Sequence, residues 1–240
     1  MFEFSAAYSY SLEYGLDFTI PYFMDKNRQW NPLYFNWFAN PAYNKNKKEI
    51  HLWENGHHYQ PLPFDESYRD YNIIVEGYRQ SEKYFQKHRK EIIEAFRLPY
   101  EKQSGKISFH NRLGDYKQWS DRHHILTQDY ITNSFRYFYD RGYTNIVVFS
   151  DGMEETKQYV NSDVYPLLNF EYSEGRTELE DIAYGASCEH NIIGASTFSW
   201  WQAWLNQNPE KIVISPVKWF EPKNSHLDSS DIVPESWIKM

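Results

Sequence analysis

Residues 108–116 read SFHNRLGDY, so a histidine, an arginine and an aspartate stand directly after the strand-like run Lys106-Ile107-Ser108-Phe109. Charged side chains are rarely fully buried unless paired. Ligands of open α/β sheets sit just beyond the C-terminal ends of the strands. His110, Arg112 and Asp115 therefore either tie down a loop or hold something negative. Two further predicted strand ends carry polar residues: Ser150-Asp151-Gly152, and Ala195-Ser196-Thr197-Phe198-Ser199-Trp200-Trp201. A doubly wound sheet brings such ends to one edge.

The third of these is physically the most informative. Ser196 and Thr197 stand where an N-cap belongs, ahead of an apolar helix. Free N–H groups at a helix start bind phosphate, and an arginine fork supplies the matching charge. Arg112 and this helix start would make a diphosphate cradle. In the alternative, Ser196 and Thr197 only cap the helix and Arg112 only pairs with Asp115. Spacing leaves both open. The chain has no G-x-G-x-x-G, no P-loop, no H-E-x-x-H, no paired-cysteine zinc spacing and no Asp-x-Asp. The adjacent pairs His57-His58 and His123-His124 read as solvated loop residues, because neighbouring side chains rarely converge on one metal.

The elements that must position these residues follow a regular rhythm after residue 104. Strands are predicted at 107–110, 145–149, 191–194 and 211–215, and helices at 128–141, 153–160, 178–188 and 198–206. This alternation means βαβ units and a parallel sheet. Before it, a helix is predicted at 2–14 with Gly15 as C-cap, a strand at 16–20, a strand at 72–75 and a helix at 81–97. Residues 25–66 show no clean period. The polar run 101–105 is the best linker, giving domains of 1–103 and 104–240, with the tail packing back.

Composition bounds the reading. The chain of 240 residues can bury a sizeable core. Its formal charge of −8 argues against general nucleic-acid affinity. The single cysteine, Cys188, allows no internal disulfide and reads as a small buried residue of a reducing compartment. Aromatics are 19% of residues, which fits either aromatic packing or a surface that stacks on rings. The N-terminus lacks a basic leader, and no apolar run reaches the roughly 18–20 residues of a membrane span. A cytoplasmic protein is expected, with peripheral contact to a membrane-bound substrate left open.

The HNRLGDY segment resembles the H-x-R-R-G-D-Y motif of the α-1,2-fucosyltransferases, glycosyltransferase family 11, and more widely of α-1,6 and protein O-fucosyltransferases. The resemblance extends to Met1-Phe2-Glu3-Phe4, to the run Gly77-Tyr78-Arg79-Gln80-Ser81-Glu82-Lys83-Tyr84-Phe85, to Phe149-Ser150-Asp151, and to the stretch from Glu180 through Leu205. It takes in Lys218-Trp219-Phe220 and Pro234-Glu235-Ser236-Trp237-Ile238 as well, and leaves out 25–66. The resemblance implies a GT-B-like α/β fold, with two facing Rossmann-like domains and parallel sheets. It implies GDP-fucose as donor, a galactoside-containing glycan as acceptor, inversion at the fucose anomeric carbon, and no cofactor or metal. By motif, it implies that Arg112 binds the diphosphate and His110 lies beside the nucleotide. Asp181 would contact guanine, with Ser150 and Asp151 at the same edge. Ser196, Ser199 and the backbone around Thr197 and Trp200 would hold phosphate or ribose. For the base that takes the acceptor's proton, Asp115 comes first and Glu76 second, and a loop-holding role for Asp115 stands beside the catalytic one.

Two positions depart from the motif. Leu113 replaces the second arginine, on a segment where neighbouring side chains point opposite ways. The chain also starts inside the N-terminal motif, so a first strand is expected to be missing and the opening helix follows. Two rivals accompany the transferase reading: a weak or inactive relative that binds a GDP-sugar or glycan, and a transferase of another GDP-sugar. Acceptor recognition is expected from 25–66, where Trp30, Trp37, Tyr43 and Trp53 either stack on sugars or pack locally.

Overall fold

The computed structural model describes residues 1–19 and 44–240. Ile20 of the predicted first strand, and Trp30, Trp37 and Tyr43, lie outside the described residues. The chain divides into two compact units. The first is Met1–Arg97 with Asp228–Pro234, and the second is Leu98–Leu227 with Glu235–Met240. The boundary thus falls at Leu98 rather than at 103/104, and residues 228–234 of the tail go with the first unit.

The first unit opens on α1 (Phe2–Tyr14), closed by Gly15 in the left-handed conformation. Phe4 of α1 packs on Phe96 at 5.3 Å and meets Phe18 edge-on at 5.4 Å. Residues 16–19 are irregular, not a strand. Their alternation marks a half-buried segment, but a strand also needs a ladder partner. β1 (Glu49–Leu52) and β2 (Asn72–Val75) pair in parallel, with Leu52 opposite Val75. The predicted helix over 81–97 is instead two single 3-10 turns, Glu82–Tyr84 and Gln86–His88, followed by α2 (Arg89–Phe96). Phe85 breaks the helix with φ −146°, and its ring is fully buried. Burying a phenylalanine contributes about 2–3 kcal/mol, more than one uninterrupted helical turn adds.

The second unit alternates as far as β7 and then adds β8: β3 (Gln103–Asn111), α3 (Gln128–Tyr139), β4 (Asn145–Ser150), α4 (Met153–Tyr159), β5 (Asn169–Tyr172), α5 (Glu178–Ser187), β6 (Cys188–Ile192), α6 (Thr197–Leu205), β7 (Val213–Ser215) and β8 (Ile238–Lys239). The sheet order is β5-β4-β3-β6-β7-β8, with every neighbouring pair parallel. The first strand of this unit lies inside the sheet, and the winding reverses between β3 and β6. This is the Rossmann-like doubly wound order. β3, β4 and β7 are buried along most of their length, as a sheet covered on both faces requires. Ile107, Phe109, Ile131, Phe135, Phe138 and Val148 belong to one core cluster. Val147, Phe149 and Cys188 form another. Burial pushes the Cys188 thiol up to about 12, so it is an inert core residue.

β6 begins three residues before its predicted start and follows α5 without a loop. Two of its polar residues, Glu189 and Asn191, are paired within the unit. Glu189 accepts from the Gly105 amide at 2.6 Å, and the Asn191 side chain donates to Ser108 at 2.6 Å. Among the described residues, no helix is long and apolar enough to cross a membrane.

Candidate active site

The reversal between β3 and β6 is the place where such a sheet opens a crevice beyond its strand ends. Phe109 lies opposite Ile192 in the ladder, so the chain leaving β3 runs beside the chain leaving β6. The two connections touch. A Cβ on Gly194 would stand 3.1 Å from the His110 carbonyl oxygen and 3.8 Å from His110 Nδ1. The Tyr116 hydroxyl donates to the Ala195 carbonyl at 3.0 Å, and its ring stacks on His123 at 4.4 Å.

His110 is buried, with its ring 5.2 Å from that of Phe198. Its Nδ1 makes no hydrogen bond to a described residue. Burial pushes its pKa down to about 3, so the ring is neutral at physiological pH. The unfolded chain takes up a proton near the ordinary value of 6.5, whereas the folded chain does not. Stability is therefore full above that value and falls as pH drops toward 3, by ~1.4 kcal/mol per unit for this group. Acid unfolding followed by circular dichroism should show a shallower loss for His110→Gln than for wild type between pH ~6 and ~4. Parallel profiles would show that His110 is not held neutral.

Arg112 is the cation at this edge, with its side chain 32% exposed. Its Nη2 donates to Asp115 Oδ1 at 2.7 Å, and its Nη1 lies 3.0 Å from Asp151 Oδ2. Its guanidinium sits 5.4 Å from the Tyr116 ring centre. The Arg112–Asp115 pair left open by spacing is formed. Asp151 has a second task, because its Oδ1 accepts the Leu113 amide at 2.8 Å. A Cβ on Gly114 would collide with this carboxylate, which explains glycine there. Leu113 is 3% exposed and packs against Gly152, where an added Cβ would come within 2.9 Å of Leu113 Cβ. Position 113 thus fills an apolar place while Arg112 reaches solvent.

At the start of α6, Ser196 is the N-cap and its Oγ accepts the Phe198 amide. The Ser196 amide donates to Gly194 and the Trp200 amide donates to Ser196. Helix geometry leaves the Thr197 and Ser199 amides without an intrahelical carbonyl. Thr197 is exposed. Two expectations are corrected here. The Ser199 hydroxyl is fully buried and donates to the Gly194 and Ser196 carbonyls, so it is turned into the helix start. Trp200 is fully buried among Trp201, Trp204 and Trp237, and its amide is used within the helix. Neither its side chain nor its amide is exposed at the sheet edge.

Ser150 shapes the turn after β4: its Oγ accepts from the Gly152 amide and from Thr156 Oγ1, both at 3.0 Å. Asp181 lies in the first turn of α5, half-buried, and accepts from the Ser173 hydroxyl, which in turn accepts from Arg176 Nη1 at 2.9 Å. Burial pushes its carboxyl up. Gln202 of α6 donates to the Asp181 carbonyl at 2.9 Å, so the first turn of α5 is tied to the second turn of α6. A Cβ on Gly185 would run into Gln202, which lets these helices close.

The second unit therefore brings His110, Arg112, Asp115, Ser150, Asp151, Ser196 and Thr197 to one sheet edge, with Asp181 linked to it through α6. Glu76 belongs to the first unit, where its Oε1 meets His51 Nδ1 at 2.5 Å. Sequence reasoning missed His51, Gly194 and Tyr116. Tyr116 and Gly194 lay inside quoted stretches, but the partners they meet, the Ala195 carbonyl and the His110 backbone, are distant in the chain.

A Rossmann-like sheet with an arginine and a helix N-terminus at its reversal defines a class of α/β proteins that hold nucleotides at that edge. This chain belongs to glycosyl transferase family 11, whose model matches residues 26–240. The motif resemblance is thereby borne out. An Escherichia coli protein named alpha-1,2-colitosyltransferase is 33% identical over 180 residues, 68% of this chain and 61% of that protein. The E. coli O-antigen biosynthesis glycosyltransferase WbnK is 38% identical over 138 residues, 55% of this chain and 44% of its own length. The chain thus spans less than two-thirds of either relative. A solved structure of POFUT1 in complex with GDP shares 14% identity at a TM-score of 0.39, over 62% of this chain and 55% of that one. The GDP-fucose complex shares 13% at 0.38, over 60% and 53%. Those structural likenesses are too loose to carry residues across.

Proposed function

We propose that this protein is an inverting glycosyltransferase that moves L-fucose from GDP-fucose to the 2-hydroxyl of a terminal galactoside in a glycan. The observation that carries the reading is the placement of Arg112 and the first turn of α6 at the sheet reversal of the second unit. In this reading the Arg112 fork and the exposed Thr197 amide hold the diphosphate. Neutral His110 lies beside the nucleotide, and the Asp181 carboxylate accepts the guanine N–H groups. Transfer breaks the bond from the anomeric carbon to the β-phosphate oxygen and forms one to the acceptor oxygen from the opposite face. Negative charge grows on the departing GDP, where a fixed cation stabilises the transition state more than the ground state. The acceptor's proton passes to a base, and the reading calls on no metal or cofactor.

Asp115 and Glu76 are the two carboxylates put forward as that base, and each is paired in the structure. We assign Asp115 the role of counterion to Arg112. Removing a negative charge beside a diphosphate favours binding, so Asp115→Asn should tighten GDP by a few-fold in calorimetric titration. Unchanged GDP affinity with turnover lost by more than ~10² would instead make Asp115 the base.

The relative named as a colitosyltransferase favours a second reading, transfer of another deoxy sugar, colitose, from its GDP form. The relative named for O-antigen biosynthesis supports a surface glycan as acceptor, reached by peripheral contact with the membrane that carries it. A panel of GDP-sugars tested with terminal galactosides separates the donors. Release of GDP from GDP-fucose, with an α-1,2 linkage in the product NMR spectrum, supports the first reading. Turnover of GDP-colitose alone supports the second. Absence of galactoside-dependent GDP release from every donor would overturn both.

A further inference from the structure

The first unit carries a second cluster that the donor reading does not use. Along β1 the side chains alternate, and Glu49, His51 and Trp53 follow one another on its exposed face. Trp53 is 68% exposed, and its ring stacks on His51 at 5.6 Å between centroids, with planes 13° apart. His51 is held between two carboxylates: Nδ1 at 2.5 Å from Glu76 Oε1 and Nε2 at 3.2 Å from Glu49 Oε2. The hydrogen bonds to Glu76 and then Glu49 hold its pKa above the usual range. Two carboxylates against one imidazole leave the cluster net negative, which repels phosphate and suits a neutral ligand with hydroxyl donors.

Its place in the fold is a second, independent sign. Leu52 and Val75 are opposite each other at the C-terminal ends of the parallel pair, so Trp53 and Glu76 both lie just past those ends, where α/β ligands bind. The chain behind them is locked. Arg79 is 1% exposed, and its guanidinium donates to the Leu52 carbonyl at 2.5 Å, the Glu76 carbonyl at 2.9 Å and the Tyr84 hydroxyl at 3.2 Å. The Glu54 carboxylate accepts the Tyr78 and Arg79 amides at 2.7 and 3.0 Å. Arg79 holds φ at 51°, a left-handed conformation that non-glycine residues rarely adopt. A buried guanidinium and a strained backbone each disfavour folding, and such features concentrate where a site must be held rigid.

We propose that Trp53, His51 and Glu76 form a subsite for a neutral sugar ring of the acceptor glycan, with the Trp53 indole stacking on its C–H face and the Glu76 carboxylate accepting its hydroxyls. The negative face of an indole attracts the weakly positive C–H groups of a pyranose. A carboxylate held by an imidazole nitrogen at 2.5 Å accepts hydroxyl donors without losing its position. A galactopyranoside suits this pairing because its axial 4-hydroxyl leaves the opposite face a continuous C–H patch. The choice of a sugar as ligand rests on the glycosyl-transfer reading.

The test is titration of methyl β-D-galactopyranoside into the full chain by saturation-transfer NMR, with GDP titrated separately. Wild type should bind the galactoside, Trp53→Ala should weaken it by at least ~10-fold, and Trp53→Phe should restore part of it, as loss and return of an aromatic stack predict. His51→Gln should weaken it too, because Glu76 loses the group that orients it. Galactoside binding unchanged in Trp53→Ala would overturn the proposal. So would a wild type that binds GDP but not the galactoside, leaving the donor reading intact. Trp53-dependent galactoside binding without GDP binding would uphold the subsite and sink the donor reading, and binding of neither would sink both.

Discussion

Replacement of Arg112 by alanine is expected to lower kcat/KM for sugar transfer by about 10²–10³, the loss of ~3–4 kcal/mol found when one charge-stabilising donor is removed from a transition state. The guanidinium has five N–H donors, and the two named hydrogen-bonded and ionic contacts engage Nη1 and Nη2 with Asp151 and Asp115. The remaining N–H groups are open to a diphosphate. Without the guanidinium, Asp115 and Asp151 would face the incoming phosphates uncompensated, which adds repulsion to the lost attraction. The fold should be little affected. The side chain is 32% exposed, and exposed ion pairs contribute only about 0–1 kcal/mol. Steady-state kinetics alongside thermal unfolding would separate the two effects. Arg112→Lys should recover only part of the activity, since an ammonium keeps the charge but not the fork. Alanine kinetics within a few-fold of wild type would remove Arg112 from the reaction.

Trp200→Ala should act in the opposite way, on stability and not on ligand contact. Trp200 is fully buried, with its ring centroid 4.9 Å from that of Trp201, 6.1 Å from Trp204 and 5.6 Å from Trp237. Truncation of a buried tryptophan costs about 3–5 kcal/mol through lost burial and the cavity left behind. That is a large share of the 5–15 kcal/mol that holds a domain together. Urea unfolding should show a midpoint shift of that size with little change in slope. A stable Trp200→Ala chain with lost GDP affinity would return the indole to the binding surface.

The contrast between these residues shows what was legible in the sequence. Arg112 was readable as a cation at a sheet edge, with its role left open, because a strand, a polar break and a following glycine place it there. Ser196 was readable as a cap for the same local reasons. Trp200 and Ser199 were not. The TFSWWQAWL helix is apolar around most of its circumference, so no face is marked as outward and burial is decided by what packs on it. β4 was legible because its apolar run is continuous, and the 107–110 part of β3 because Ile107 and Phe109 stand just before the polar break. β1 and β5, in contrast, carry Glu49, His51 and Glu171, and their strand state follows from partners distant in the chain. The break at Phe85 was hidden because helix periodicity runs through it, while Phe2, 6.1 Å away, draws its ring inward. The Arg112–Asp115–Asp151 group was half-readable: the first two are three residues apart, but Asp151 joins only through the register of β3 with β4.

The central claim is that the second unit holds the donor's diphosphate at the reversal between β3 and β6. A crystal structure of the full chain with GDP tests it most directly. The account predicts phosphate oxygens within hydrogen-bonding distance of the Arg112 guanidinium and of the Thr197 amide, with the guanine against the Asp181 carboxylate. GDP bound elsewhere, with the Arg112–Asp115 and Arg112–Asp151 pairs undisturbed and the Thr197 amide free of phosphate, would contradict it.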